Sequence, residues 1–379
     1  MSSRRSLLKS ATALVAASMI LPGAASADEP IPVVATFSIL GDMVERIGGD
    51  HIALTTLVGP GGDAHVYQPT PQDAAAVAEA DVLFINGLEF EGWLERLAEA
   101  APFGGEMVVA TTGVAAIEFE DEHGDEHDDH DDHDDEKHAE GEEHDHDHDE
   151  DHAGHDDHDD HDEDHAGHDD HDEHGEEHAG HDDHDDHGED HAGHDDHHGH
   201  DHGAFDPHAW QTIENAMIYV DNITAGLAKA DPDNASLYYE NRAEYVSELE
   251  ALDEEIDEMM AEIPEDKRTV VTSHDAFGYL AAHYGMTFEA PQGLSTESEA
   301  SAADVAELIT QIREEGISAV FVEAITDNRL IEQIANETGA NIGGTLYSDA
   351  LSAEDGPAST YVDMMRYNAK TLSEAALGS

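Results

Sequence analysis

The sequence contains no cysteine, and this absence removes several kinds of chemistry from consideration. Disulfides, thiolate metal sites and cysteine nucleophiles are excluded. For the same reason we expect no lipid anchor on an N-terminal cysteine. Any metal site in this chain must therefore be built from imidazole nitrogens and carboxylate oxygens.

Basic residues are scarce. The 379 residues include 14 Lys and Arg against 91 Asp and Glu, which gives a formal charge of -77. Nucleic-acid binding requires a basic surface that can neutralise phosphates. The composition therefore argues against nucleic acid as a partner.

Long apolar runs are also rare, and the one at the N-terminus has the features of an export signal. Arg4 and Arg5 precede an apolar run over 11–21, and Ala25-Ser26-Ala27 is a small-residue cleavage site. The paired arginines make a twin-arginine signal one candidate and an ordinary secretory signal the other. We therefore expect a signal peptide over 1–27 and a soluble periplasmic protein without a lipid-anchor cysteine.

Residues 120–203 form a tract built almost wholly from His, Asp, Glu and Gly. The heptapeptide HAGHDDH occurs in it four times, beginning at residues 152, 165, 178 and 191. The tract has no apolar periodicity, so it cannot bury a core, and we predict a disordered loop. Its imidazoles and carboxylates predict weak binding of several divalent metals, without fixed geometry. One interpretation is a metal antenna or buffer beside the cleft, and the other is a solvated polyanion tolerated in a surface loop.

On either side of the tract, short apolar runs alternate with helical patterns, which is typical of parallel strands covered on both faces. The sequence predicts an α/β lobe over 28–119, completed by 204–233, and a second α/β lobe over 264–379. Between them, 234–263 reads as one uninterrupted helix. Its apolar positions recur at helical spacing: Tyr238, Tyr245, Leu249, Leu252, Ile256 and Met259. The predicted fold is thus two mostly parallel sheets flanked by helices and joined by one long rigid helix.

Only five of the 31 histidines lie outside the tract. Three of them, His65, His208 and His274, stand at the edges of predicted elements, where α/β sheets place ligands. Asp349 follows a predicted strand in the same way. Three imidazoles and one carboxylate fill a tetrahedral Zn²⁺ shell, whereas a hydrolytic zinc would keep one position open for water. The other two histidines, His51 and His283, read as surface residues.

Four motifs in this order resemble the solute-binding proteins of zinc and manganese ABC importers. They are GGDAHVYQPTPQD, DPHAW, SHDAFGY and LYSDALS, with the long helix between the second and the third. The resemblance covers essentially the whole mature chain. It implies that His65, His208, His274 and Asp349 bind metal in a cleft between the lobes. Manganese members tend to carry glutamate at the third position, so histidine there favours zinc.

The surroundings of the ligands are less sharply defined by sequence. Asp206, Glu297 and Glu323 are candidates for holding the second ring nitrogen of a metal-bound histidine. A helix cap or a solvated charge is the more common role for such residues. Trp210 is expected to pack near the site without contacting the metal.

The leading hypothesis is an extracytoplasmic protein, not an enzyme, that binds Zn²⁺ with high affinity and delivers it to an ABC-type membrane permease. One alternative is manganese or iron import by a member of the same family. A second is a zinc hydrolase, against which the carboxylate ligand argues, and a third is a metal-storing or adhesive surface protein. We expect a monomer, and a metallochaperone is a further candidate partner.

Overall fold

The structure is a computed structural model that describes residues 29–118 and 205–378. The predicted signal peptide and the acidic histidine tract, with its predicted disorder, lie outside the described residues. All the described residues fall in one of the two units into which the chain divides, the unit made of Met1–Asp121 and His200–Ser379. The predicted boundaries of the signal peptide, the two lobes, the tract and the connecting helix stay predictions.

The first lobe is a four-stranded sheet with helices around it. Its strands are β1 (Ile31–Phe37), β2 (Ile52–Val58), β3 (Val82–Ile85) and β4 (Glu106–Val109), and its helices are α1 (Ser38–Gly48), α2 (Pro71–Glu79), α3 (Leu94–Ala100) and α4 (Ile213–Ala230). The strand order is β2-β1-β3-β4, and every neighbouring pair is parallel. All four residues of β3 are buried, as expected for a strand covered on both faces.

Helix α5 (Ala235–Ala261) follows α4 and has 27 residues, so it is about 40 Å long. Of the six apolar positions that recur at helical spacing, five are buried and the sixth, Met259, is not fully buried. Met260 is buried, whereas Met259 is only partly buried. Both positions lie near the apolar stripe, because they stand three and four residues after Ile256. The sequence pattern alone did not distinguish them.

The second lobe repeats the plan of the first. Its strands are β5 (Thr269–Val271), β6 (Thr287–Glu289), β7 (Ala319–Glu323) and β8 (Asn341–Leu346), and its helices are α6 (Gly278–Tyr284), α7 (Ala302–Glu315), α8 (Arg329–Thr338) and α9 (Tyr361–Gly378). The strand order is β6-β5-β7-β8, again with parallel pairs. The fold is therefore two parallel-sheet lobes flanked by helices, as the sequence predicted.

The main hydrophobic core runs through both lobes. It includes Phe84 of the first sheet, Leu249 of α5 and Leu372 of α9. Helix α5 packs against α1, α4 and α9. A smaller core, with Val320 and Ile331, lies between the second sheet and its helices α7 and α8. A shared core and a stiff connecting helix restrict how far the lobes can separate.

Hydrogen bonds also join the lobes at the start of α9. The backbone N–H of Tyr361 donates to Asp42 of α1 at 2.9 Å. The hydroxyl of Tyr361 donates to the carbonyl of Trp210 at 2.7 Å. Among the described residues, no helix combines the length and apolar character that a bilayer crossing needs.

The Asp42 contact predicts a pH-dependent stability. Burial raises the pKa of Asp42 to about 6, although the N–H of Tyr361 and the charge of Arg46 act in the opposite direction. The folded carboxyl thus binds its proton more tightly than the unfolded one. Its contribution to stability is greatest below pH of about 4 and is lost as the pH rises through about 6.

We therefore expect Asp42→Asn to stabilise the protein relative to the parent at pH 7.5 but not at pH 4. Asparagine still accepts the hydrogen bond from Tyr361 and carries no charge to desolvate. The gain is on the order of 1 kcal/mol after allowance for solvent screening of this partly exposed group. Urea unfolding of both proteins at the two pH values, with chelator present, measures it. An equal difference at both pH values would contradict the assignment.

Candidate metal centre

Four loops bring the predicted ligands together. His65 lies between β2 and α2, and His274 follows β5. Asp349 follows β8, and His208 precedes the short turn that leads into α4. Three of the four thus stand beyond the carboxyl ends of strands, the edge where parallel sheets bind ligands.

The side chains of these four residues converge in the cleft between the lobes, with ligand atoms all within 4.8 Å of one another. Asp349 Oδ2 is 3.2 Å from His65 Nε2 and 3.1 Å from His274 Nε2. Asp349 Oδ1 is 3.5 Å from His208 Nε2. Within 29–118 and 205–378, no other group of His, Asp and Glu converges in this way. The structure therefore brings together all four residues that the sequence singled out.

The site is closed to solvent, and its polar atoms are poorly paired. His208, His274 and Asp349 are 0% exposed and His65 is 6% exposed. Despite the short distances, neither carboxylate oxygen of Asp349 nor Nε2 of His274 has a hydrogen bond of acceptable geometry. Buried polar atoms without partners are costly, and a cation among them would satisfy all of them at once. This donor set fits a divalent metal ion.

Carboxylates orient two of the three imidazoles from behind. Asp206 Oδ1 is hydrogen-bonded to His208 Nδ1 at 2.8 Å. Glu323 Oε2 lies 2.6 Å from His274 Nδ1, an ion-pair contact whose geometry is not that of a hydrogen bond. The other oxygen of Glu323 accepts the backbone N–H groups of Ser273 and His274 at 2.7 and 2.9 Å. A proton held on Nδ1 leaves Nε2 free to face the metal.

The third candidate for this supporting role was wrong. Glu297 is exposed, and its backbone N–H bonds to Ser295 in the loop before α7. Its side chain meets solvent, although the beginning of the same loop pairs with the His274 segment. Asp206 and Glu323 do more than cap a helix or meet solvent, since each contacts a ring nitrogen.

Burial and charge set the protonation of the ligands. Burial lowers the pKa of His65, against the opposing pull of Asp349, so this imidazole stays neutral. Burial alone would raise the pKa of Asp349, but His274 and His208 outweigh it and hold that pKa well below its usual range. The pKa of His274 shows the reverse balance: burial lowers it, but Glu323 and Asp349 raise it well above its ordinary value. A metal must therefore displace a proton from His274.

Aromatic and amide side chains pack against the ligand loops, and most of them were not predicted from the sequence. The indole of Trp210 packs 5.4 Å from the His208 ring, and its N–H donates to the Ser348 carbonyl at 2.9 Å. Gln211 donates to the same carbonyl at 2.9 Å. Phe90 stands edge-on to His65 with ring centroids 4.8 Å apart. Only Trp210 was expected near the site, because it shares the DPHAW motif with a ligand.

The other two described histidines lie elsewhere. His283 is exposed on α6. His51 lies in the turn before β2, where its ring centroid is 6.4 Å from that of Tyr238. Neither joins the cluster, as their sequence contexts indicated.

Two parallel-sheet lobes on a long helix, with a buried site of three histidines and one aspartate in the cleft, define a metal-binding protein of the two-lobed transport type. The family described as zinc-uptake complex component A, periplasmic, matches residues 33–375, and the chain belongs to this family. It is accordingly the substrate-binding protein of a metal ABC importer. Such a protein works with a membrane permease and is not an enzyme.

Relatives differ in the metal that their names give. The manganese-binding lipoprotein MntA of Bacillus subtilis is 30% identical over 355 residues, 92% of this chain and 91% of that protein. The iron-binding protein YfeA of Yersinia pestis is 28% identical over 342 residues, 90% of this chain and 85% of that protein. The solved structure of the periplasmic zinc-binding protein TroA of Treponema pallidum matches with a TM-score of 0.68 at 22% identity, covering 92% of this chain and 99% of that one, and supports the fold alone.

These relatives correct the predicted location. MntA of Bacillus subtilis and several others are named lipoproteins, which contradicts the expectation of a periplasmic protein without a lipid anchor. That expectation rested on the absence of cysteine, which bears on one attachment chemistry only. An extracytoplasmic location fits the relatives.

Proposed function

We propose that this chain captures Zn²⁺ outside the cytoplasm and delivers it to an ABC-type permease, with His65, His208, His274 and Asp349 as the complete ligand shell. The observation that carries the proposal is the convergence of three buried Nε2 atoms on one buried carboxylate. Four protein ligands without an open position suit tight, reversible capture, since no water remains on the metal to be activated.

The choice of zinc over manganese rests on the donor atoms. Three imidazoles and one carboxylate present three nitrogens and one oxygen, and nitrogen donors suit Zn²⁺ whereas oxygen donors suit Mn²⁺. The small, closed arrangement favours tetrahedral coordination as well. Nearby negative charge, from Asp349 in the shell and from Glu323 and Asp206 behind it, offsets the charge of a divalent ion.

Manganese or iron is the second candidate. Its support is the manganese named in MntA and the iron named in YfeA. Asp349 has two oxygens within reach of the cluster centre, so a larger ion could bind it through both. Competition between the metals for the same site separates the two candidates.

The proposal also covers the acidic tract over 120–203 and the partners of the protein. The tract, which lies outside the described residues, gathers divalent metal weakly as an antenna or buffer. The protein acts as a monomer and receives metal directly or from a metallochaperone. If storage or adhesion were its purpose instead, deletion of the tract would remove the function along with the weak sites.

We expect Zn²⁺ to raise the melting temperature of both the full chain and a chain lacking 120–203, and Mn²⁺ to raise it much less. A ligand that binds only the folded state adds about 2.7 kcal/mol of stability at a hundredfold excess over Kd. Thermal unfolding with each metal, and calorimetric counting of sites, makes the measurement. Equal rises with both metals would favour the second candidate. Loss of tight binding on deletion would place part of the site in the tract.

A further inference from the structure

Metal exchange at a buried site requires a part of the protein that can move. All four proposed ligands are nearly or fully buried. A shared core and helix α5 hold the lobes together, so opening must involve loops that cover the site. We define the β6–α7 loop as residues 290–301, between β6 and α7.

The β6–α7 loop is attached to the His274 segment through its backbone. His274 pairs with Gln292 in an isolated parallel bridge. The N–H of Asp275 lies 3.2 Å from the carbonyl oxygens of both Gln292 and Gly293. The first part of the loop therefore belongs firmly to the second lobe.

Further along, the same loop reaches the first lobe through one side-chain hydrogen bond. The hydroxyl of Thr296 donates to Asp63 Oδ2 at 2.6 Å. The other oxygen, Asp63 Oδ1, accepts the backbone N–H of His65 at 2.9 Å. One carboxylate thus connects the β6–α7 loop to the backbone of a proposed metal ligand.

Asp63 uses its second oxygen differently from Asp206, its counterpart beside His208. Asp63 and Asp206 each stand two residues before a proposed ligand and each accept that histidine's backbone N–H. Asp206 also contacts the ring of His208. The second oxygen of Asp63 instead accepts the hydrogen bond from the Thr296 hydroxyl. Asp63 therefore positions the His65 loop and also fastens it to the opposite lobe.

We propose that Thr296 is a positioning residue that acts through Asp63: its hydrogen bond holds the His65 loop closed across the cleft and sets the rate at which metal leaves the site. This inference rests on the proposed metal-binding function. A hydrogen bond to a charged group is stronger than one between neutral groups. Its loss leaves the four ligands in place and removes the side-chain link between the His65 loop and the β6–α7 loop. The backbone hydrogen bond from Gly61 to the Leu351 carbonyl, at 2.9 Å, remains.

The test is the rate of Zn²⁺ release from full-length chains loaded with one equivalent of metal and mixed with excess chromogenic chelator. Thr296→Val keeps the shape and removes the donor, and Thr296→Ser restores the donor. Glu297→Gln is a matched control in the same loop, because its side chain is exposed. His274→Ala, whose cleft site is weakened, supplies the release phase of the weak sites, which is subtracted.

We expect Thr296→Val to release Zn²⁺ about tenfold faster than the parent, while Thr296→Ser and Glu297→Gln release it at the parental rate. The metal-free melting temperature of all three should stay close to that of the parent. A Thr296→Val rate within twofold of the parent overturns the inference, and so does a Thr296→Ser protein as fast as Thr296→Val. If the parent itself shows no slow phase beyond that of His274→Ala, the proposed metal site fails instead.

Discussion

Replacing His274 with alanine is expected to reduce the affinity for Zn²⁺ by more than about a hundredfold, since changes behind the ligands alone typically cost 10–100-fold. The substitution removes one of four donors. It also leaves Glu323 without the imidazole that lies 2.6 Å from it, in a place where both side chains are fully buried. The remaining two imidazoles and Asp349 would bind metal with an open position and in a less defined geometry.

The control for this prediction is His283→Ala, which removes an exposed imidazole on α6 and should leave the affinity unchanged. Isothermal calorimetry gives the affinities, and urea unfolding in chelator shows whether each variant is folded. His208→Ala provides a second ligand variant with a different buried partner, Asp206. Parental affinity in a folded His274→Ala protein would remove His274 from the site.

The sequence predicted much of the fold because the signals were local. Runs such as VLFI in β3 and AVFVE in β7 are wholly buried, and continuous apolar character of that kind is typical of central parallel strands. The ligands were found for a related reason. Each stands near glycine, proline or a polar loop at the end of an element, and the order of strands in a parallel sheet gathers such ends at one edge.

The supporting contacts were harder to predict because they join distant segments. Glu323 lies 49 residues after His274 and meets it only because β5 and β7 are neighbours in the sheet. Thr296 and Asp63 are 233 residues apart and come from different lobes. No periodic pattern records such pairings. Glu297, the neighbour of Thr296, was one of three candidates for a supporting residue and proved to be exposed.

The second large effect on Zn²⁺ affinity is expected from Glu323→Gln, which replaces one carboxylate oxygen of a fully buried side chain by an amide NH₂ group. The amide oxygen would accept the N–H groups of Ser273 and His274, as Oε1 of Glu323 does now at 2.7 and 2.9 Å. The amide nitrogen would then face His274 Nδ1, where it can only donate. His274 would have to carry its proton on Nε2, the atom that points at Asp349.

A histidine protonated on Nε2 cannot bind metal there, so Glu323→Gln should weaken Zn²⁺ binding by about a hundredfold, at the upper end of the range for such substitutions. The metal-free protein should also lose stability at neutral pH, because the buried carboxylate that raises the pKa of His274 is gone although the backbone hydrogen bonds survive. Calorimetry and nitrogen-15 NMR of the imidazole measure the affinity and the tautomer. Glu297→Gln is the matched control, identical in chemistry but exposed. Unchanged affinity with the proton still on Nδ1 would mean that the amide has flipped, and that Glu323 orients His274 less strictly than the 2.6 Å contact indicates.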